Sequence, residues 1–171
     1  MSTQQTLLET APVGRLDGRQ LRNTFGKFAS GVTVVTCRNE QGDPHGATIS
    51  SFTSISLEPA LLQVTLIREN KIASLIKDAP FTVNVLGSHQ QDLAMHFAGR
   101  PQELAPEWVE GATAPALAGV CATFACRPWA EYDGGDHVIV IGEIVEASHE
   151  EIDPLLFHSG KFHRLGELSA A

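Results

Sequence analysis

Hydrophobic residues change their spacing several times along the chain, and each change marks an element. Over DGRQLRNTFGKFASG, residues 17–31, Leu21, Phe25, Phe28 and Ala29 fall on one face of a helix, and Gly31 stands where it would stop. VTVVTCR (32–38) is rich in β-branched residues and predicts a strand. NEQGDP is a turn. LLQVTLI (61–67) predicts a buried strand. ENKIASLIKDA predicts a short helix with Ile72, Leu75 and Ile76 inward, and FTVNVLG the next strand. SHQQDLAMHFAG predicts a helix capped by Ser88, with Leu93, Ala94 and Phe97 inward and Gly99 at its end. The proline-rich stretch 100–119 has no period and predicts a long surface loop. VCATFACRPWAEYD, a GG turn and HVIVIGEIVEAS follow as long β segments. In LLFHSGKFHRL, Ser159-Gly160 predicts a two-residue hairpin turn.

One stretch breaks the strand pattern. GATISSFTSISLEPALL, residues 46–62, carries hydroxyls at Thr48, Ser50, Ser51, Thr53, Ser54 and Ser56. A strand with one wet face would confine them to alternate positions. The even set does so, apart from Phe52. The odd set is apolar at both ends but polar at Ser51 and Thr53. A bulge or loop at Ser50–Ser51 accounts for this, and so does a bound polar ligand.

Strands outnumber helices and do not alternate regularly with them. This argues against a doubly wound parallel sheet and for a mainly β fold, an antiparallel barrel with covering helices. The length of 171 residues suits one domain, taken as 17–168 behind a flexible N-terminal arm, 1–16.

Composition removes several functions. The net charge is −8 and Lys and Arg form no cluster, which argues against nucleic acid and an acidic membrane surface. No apolar run approaches the length of a membrane span, and the N-terminus lacks a signal-peptide core. Cys37, Cys121 and Cys126 match no zinc spacing and read as small buried residues in a reducing cytoplasm. The seven histidines form no metal-like grouping. Glycine-rich nucleotide fingerprints and the Gly-x-Ser-x-Gly elbow are absent.

What remains is the hydroxyl segment, the helix start at Asn70-Lys71, the HFAGRP turn with Arg100, and GGDHVIVIGE around His137. A phosphate-bearing planar ligand needs such parts. Hydroxyls and amides bind phosphate and ribityl oxygens, and Lys71 or Arg100 can neutralise charge. Each also has an ordinary structural use, as a solvated helix residue, a helix cap or a turn.

The ordered set FGKFASGVTVVTCRNEQGDPHGATISSFTSISLEPALLQVTL, FTVNVLGSHQQDLAMHFAGR, GDHVIVIGEIV and LLFHSGKFHRL resembles the flavin reductase-like family over about residues 18–166. These are reductase components of two-component flavin-dependent monooxygenases. The resemblance implies an FMN-binding split barrel, a homodimer with flavin sites near the subunit interface. It implies NADH- or NADPH-dependent reduction of free FMN or FAD, which then diffuses to a separate oxygenase. NADH is favoured because no basic pair flanks GDH in the sequence. The alternatives are a split barrel that retains its flavin, or a non-catalytic flavin carrier or sensor.

By position, the resemblance puts Thr48, Ser50 and Ser51 along the flavin, with Ala47 and Ile49 supplying amides and apolar contact. It puts Asn70 and Lys71 near the phosphate, and Phe97, Ala98, Gly99 and Arg100 beside the flavin tail. His137 faces the nicotinamide or the flavin ring. His158, Gly160 and Phe162 close the pocket. No metal and no protein nucleophile is implied. The chain departs from the family at Pro59-Ala60, where many relatives have Pro-Pro. It departs again at Ile72, where a hydroxyl is common, and at Phe162, where tyrosine is common.

Overall fold

The computed structural model describes residues 16–166. The expected N-terminal arm lies outside the described residues apart from Leu16. The elements run α1 (Gly18–Phe25), β1 (Ser30–Gly31), β2 (Thr33–Arg38), β3 (Pro44–Ile49), β4 (Thr53–Leu57), β5 (Ala60–Ile67), α2 (Lys71–Ile76) and β6 (Phe81–Val85). Then come α3 (Gln91–Phe97), β7 (Trp108–Val109), β8 (Ala116–Leu117), β9 (Ala122–Gly134), β10 (His137–His149), β11 (Leu156–His158) and β12 (Lys161–His163).

Seven strands form one antiparallel sheet in the order β3-β2-β6-β9-β10-β5-β4. The sheet curls so that β3 lies against β5. No ladder joins them. At this split, the Ser51 hydroxyl donates to the Thr65 carbonyl at 2.7 Å and accepts from the Thr65 amide at 3.1 Å. One side chain thereby satisfies a backbone pair that a neighbouring strand would otherwise take.

The barrel interior is apolar. Val35, Leu62, Val64, Phe81, Val83, Val138 and Val140 meet there, and α2 plugs one end with Ile72, Ala73 and Ile76. Burying each such side chain stabilises the fold by about 1.5–3 kcal/mol before conformational entropy is counted. A second cluster, with Val34, Leu86, Ala94, Leu117 and Leu155, fills the space under α3 and the β11–β12 hairpin. A β-carbon at Gly142 would lie 2.6 Å from the Phe81 ring, so β10 passes this core residue only as glycine.

Several expectations hold. β9 and β10 form a long hairpin closed by Gly135-Asp136, and β11 and β12 turn at Ser159-Gly160. That turn has φ of 48° and 79° at its two residues, which suits the twist of adjoining strands. The break in the hydroxyl segment is real, since β3 ends at Ile49 and β4 begins at Thr53.

Three expectations need correction. The first helix ends at Phe25, because Gly26, Lys27 and Phe28 donate to Arg22, Thr24 and Phe25 carbonyls in a tightened turn, and Gly31 belongs to β1. Its apolar stripe is not buried, and Phe25 is 72% and Phe28 82% exposed. α3 starts after Gln90, not Ser88, whose amide bonds instead to the Asp153 carbonyl. The stretch 100–119 is not merely surface. It holds β7 and β8 and buries Ala114, Ala116 and Leu117. Buried polar side chains of the sheet pin it there. Thr36 donates to the Pro115 carbonyl at 2.5 Å, Thr82 to Ala114 at 3.1 Å, and Asn84 accepts from the Leu117 amide at 2.9 Å.

Candidate active site

A cleft of about 610 Å³ opens at the split between β3 and β5. One wall is the segment Thr48, Ile49, Ser50 and Ser51. The other is the end of β5, Thr65 to Ile67, with Asn70 beyond it. Gly134 and His137, at the β9–β10 turn, stand at the rim, and Phe25 of α1 overhangs it. This volume is that of an ordinary small-molecule site. No carboxylate side chain lines it, although the chain carries 20 Asp and Glu.

The hydroxyls have divided roles. Thr48 donates to the Ala94 carbonyl of α3 at 2.8 Å, and Ser51 closes the split. Ser56 accepts from the Glu58 amide at 3.2 Å in the β4–β5 turn. Among the described residues Ser50 has no hydrogen-bond partner and is exposed to the cleft. So the fold itself uses Thr48, Ser51 and Ser56, and of the segment's three hydroxyls that line the cleft Ser50 is left to meet a ligand.

His137 is built on the first residue of β10, facing Ile67 across the ladder. Its Nδ1 lies 2.7 Å from the Asp136 carboxylate. A carboxylate can only accept, so Nδ1 carries the proton and Nε2 is left for a ligand. His137 in turn holds the Asp136 carboxyl below the usual carboxylate range. Arg68, at the end of β5, fixes this turn from below. Its guanidinium reaches the Asp133 carboxylate at 2.5 Å and the Gly135 and His137 carbonyls at 3.3 and 3.0 Å. The sequence reading missed Arg68, because its partners lie 65 to 69 residues away.

The other expected positions are dispersed. Ala47 is buried in the barrel beneath the cleft. Asn70 lines the cleft, and its side chain also caps α2 by accepting from Ile72 at 3.3 Å. Lys71 points away, its ammonium 3.2 Å from Glu40. Phe97 packs edge-on to Trp108 and against Gly46, where a β-carbon would lie 3.1 Å from the ring. Ala98, Gly99 and Arg100 finish α3, with Gly99 at a φ of 78°. Gly160 lines a neighbouring cleft under α1. Phe162 packs on Phe157, and the His158 ring lies against His163. Among the described residues no group of three His, Cys, Asp or Glu side chains is placed to hold a metal.

Comparison with known proteins agrees with this geometry. A family model described as the flavin reductase like domain matches residues 25–166. The chain is 36% identical over 154 residues to FMN reductase (NADH) SmoA of Agrobacterium fabrum, covering 88% of each. It is 37% identical over 158 residues to an NADH-dependent FAD reductase of Streptomyces globisporus, covering 86% of each. Among solved structures, the flavin reductase PheA2 in its native state superposes with a TM-score of 0.85 at 37% identity, over 89% of this chain and 100% of that one. The Streptomyces globisporus NADH:FAD oxidoreductase in complex with NAD and FAD fragments gives 0.81 at 34% identity, over 90% and 96%. The chain belongs to the flavin reductase-like family, and its fold is the split barrel of those reductases.

Proposed function

We propose that this protein uses NADH to reduce free FMN or FAD at the cleft between Ser50 and His137, and releases the reduced flavin to a separate monooxygenase. The observation that carries the reading is the cleft itself. It is free of carboxylates, it offers an uncommitted hydroxyl at Ser50, and a histidine with a fixed tautomer stands at its rim. Among relatives, the reductase component of a 4-nitrophenol monooxygenase from Rhodococcus opacus is 37% identical over 153 residues. That name supports a partner oxygenase.

Flavin and nicotinamide carry the hydride chemistry between them. The chain's work is alignment. Holding two rings in contact contributes about 7–11 kcal/mol through proximity and orientation. In this reading Ser50 and the backbone amides of the 48–51 segment donate to the negative charge that reduction puts on the flavin ring. His137 positions the nicotinamide. A site built from neutral donors, each worth about 0.5–1.5 kcal/mol, suits a flavin that must leave.

The reading includes a homodimer. Val138 and Val140 point into the barrel, so His137, Ile139 and Ile141 share its outer face, where Tyr132 pairs with Ile139. On that face Tyr132 is 57% and Ile67 54% exposed. An apolar sheet face beside His137 fits a subunit interface adjoining the site. A cytoplasmic location accords with three free cysteines.

The test is NADH absorbance loss in air, with riboflavin, FMN or FAD added to purified protein. Oxidation that saturates with free flavin is expected. A tightly held flavin that never exchanges would instead favour an enzyme that keeps it.

A further inference from the structure

α1 contributes no buried residue to the core, yet its end is firmly seated. The Gly26 amide donates to the Arg22 carbonyl at 2.9 Å, the Lys27 amide to Thr24 at 3.1 Å and the Phe28 amide to Phe25 at 3.0 Å. From the β11–β12 hairpin, the Ser159 amide donates to the Gly26 carbonyl at 2.8 Å. The backbone around Phe25 is thus held from both sides, while its side chain stays 72% exposed. A ring of that size is usually buried, and the core has no use for this one.

Its place gives it a use. Phe25 overhangs the Ser50–His137 cleft, and among the described residues it is the only Phe, Tyr or Trp that lines it. Phe28, equally bare, lines only the neighbouring cleft. The other apolar lining of the Ser50–His137 cleft is aliphatic, from Ile49, Leu66 and Ile67. Hydride transfer needs two planar rings face to face there. The 48–51 segment backs the flavin. The nicotinamide, beside His137, then has one face on the flavin and the other toward the mouth. An aromatic ring over that outer face removes it from water and adds a stacking contact.

We propose that Phe25 stacks on the outer face of the nicotinamide and so positions the hydride donor, completing a three-ring stack of flavin, nicotinamide and phenyl. The proposal rests on the reductase reading. It gives α1, a helix without a core residue, the task of carrying this ring.

The experiment compares the full-length parent with Phe25→Ala and Phe25→Tyr. Both should fold, because the ring is exposed and alanine is the better helix former. KM is measured for NADH and for reduced nicotinamide mononucleotide with riboflavin as acceptor, and riboflavin affinity is measured on the same proteins. Anaerobic rapid mixing records the long-wavelength charge-transfer absorbance of the nicotinamide–flavin pair. Phe25→Ala should raise KM by about three- to tenfold for both donors and weaken the charge-transfer band, as for one lost aromatic pair. Phe25→Tyr, which keeps the ring, should stay within about twofold of the parent, and riboflavin affinity should hold within about twofold in both variants. A rise for NADH but not for the mononucleotide, which lacks the adenosine, would place Phe25 against another part of the dinucleotide and overturn the proposal. So would a loss of riboflavin affinity with KM for both donors unchanged. A change of oligomeric state in Phe25→Ala, read by size-exclusion chromatography, also overturns it, since the ring would then be a subunit contact. A parent that turns over beside an unaffected Phe25→Ala sinks this proposal alone. A parent that oxidises neither donor with any flavin sinks the reductase reading, and this proposal with it.

Discussion

Arg68 donates to the backbone carbonyl of His137 at 3.0 Å, from the residue just after the strand that pairs with the one His137 begins. The same guanidinium holds Asp133 and Gly135, so one side chain fixes both ends of the turn that presents the imidazole. Exposed ion pairs contribute little to stability, about 0–1 kcal/mol. The use of Arg68 is therefore positional. Arg68→Ala is expected to leave the melting temperature nearly unchanged and to raise KM for NADH by about three- to tenfold, as for one lost hydrogen bond. Flavin affinity should hold, and Arg68→Lys should recover part of the loss. Steady-state kinetics and flavin titration check this together.

Ser50 and Ser51 are neighbours in sequence with opposite duties. Removing the Ser51 hydroxyl leaves the Thr65 amide and carbonyl without their partner, so Ser51→Ala should cost about 1–3 kcal/mol in denaturant unfolding. Ser50→Ala should change stability by less than about 0.5 kcal/mol. It should weaken flavin binding by up to about tenfold, the worth of one neutral hydrogen bond.

Asn84 is fully buried, and its amide donates to the Val34 carbonyl and Thr36 hydroxyl at 2.9 Å while accepting from Leu117. Asn84→Ala leaves at least one buried backbone group unsatisfied. The expected loss is about 2–4 kcal/mol, with stretch 100–119 loosened first. Hydrogen exchange at the Leu117 amide reads that directly.

The three thiols are buried and free. Burial pushes Cys37 up to about 11 and Cys126 up to about 12, and raises Cys121 in the same direction. At neutral pH all three are thus protonated and unreactive, and a thiol reagent should label them only on unfolding. The sign of the pH effect follows. Above about pH 8.5 the unfolded chain releases thiol protons that the folded chain keeps, so stability falls as pH rises from there toward 11. Urea midpoints measured across pH 8–11 should decline.

Local pattern was enough to read the longer strands, but not the two-residue β1, β7 and β8. The β-branched runs became β2, β5 and β6, and Ser159-Gly160 became the hairpin turn because turn chemistry is local. The interruption at Ser50–Ser51 was legible for the same reason. What each hydroxyl does was not. Ser51 finds Thr65 fourteen residues away, and Thr48 finds Ala94 forty-six away, and no spacing rule links them. Asn84 looked like an ordinary strand residue, yet its worth depends on a loop more than thirty residues downstream. Periodicity placed Phe25 and Phe28 on one helical face. Both are bare, and the hydrogen-bonded turn at Gly26 ends the helix between them. Of the residues assigned by resemblance, Thr48, Ile49, Ser50, Ser51, Asn70 and His137 meet in one cleft, while Lys71 is drawn off by Glu40.

The proposed function requires His137 to serve the nicotinamide at the cleft where Ser50 meets the flavin. The most direct measurement is the His137→Ala variant, with KM for NADH and the flavin dissociation constant determined on the same protein. KM for NADH should rise by about tenfold, with flavin affinity within about twofold of the parent. A collapse of flavin affinity with an unchanged response to NADH would contradict it.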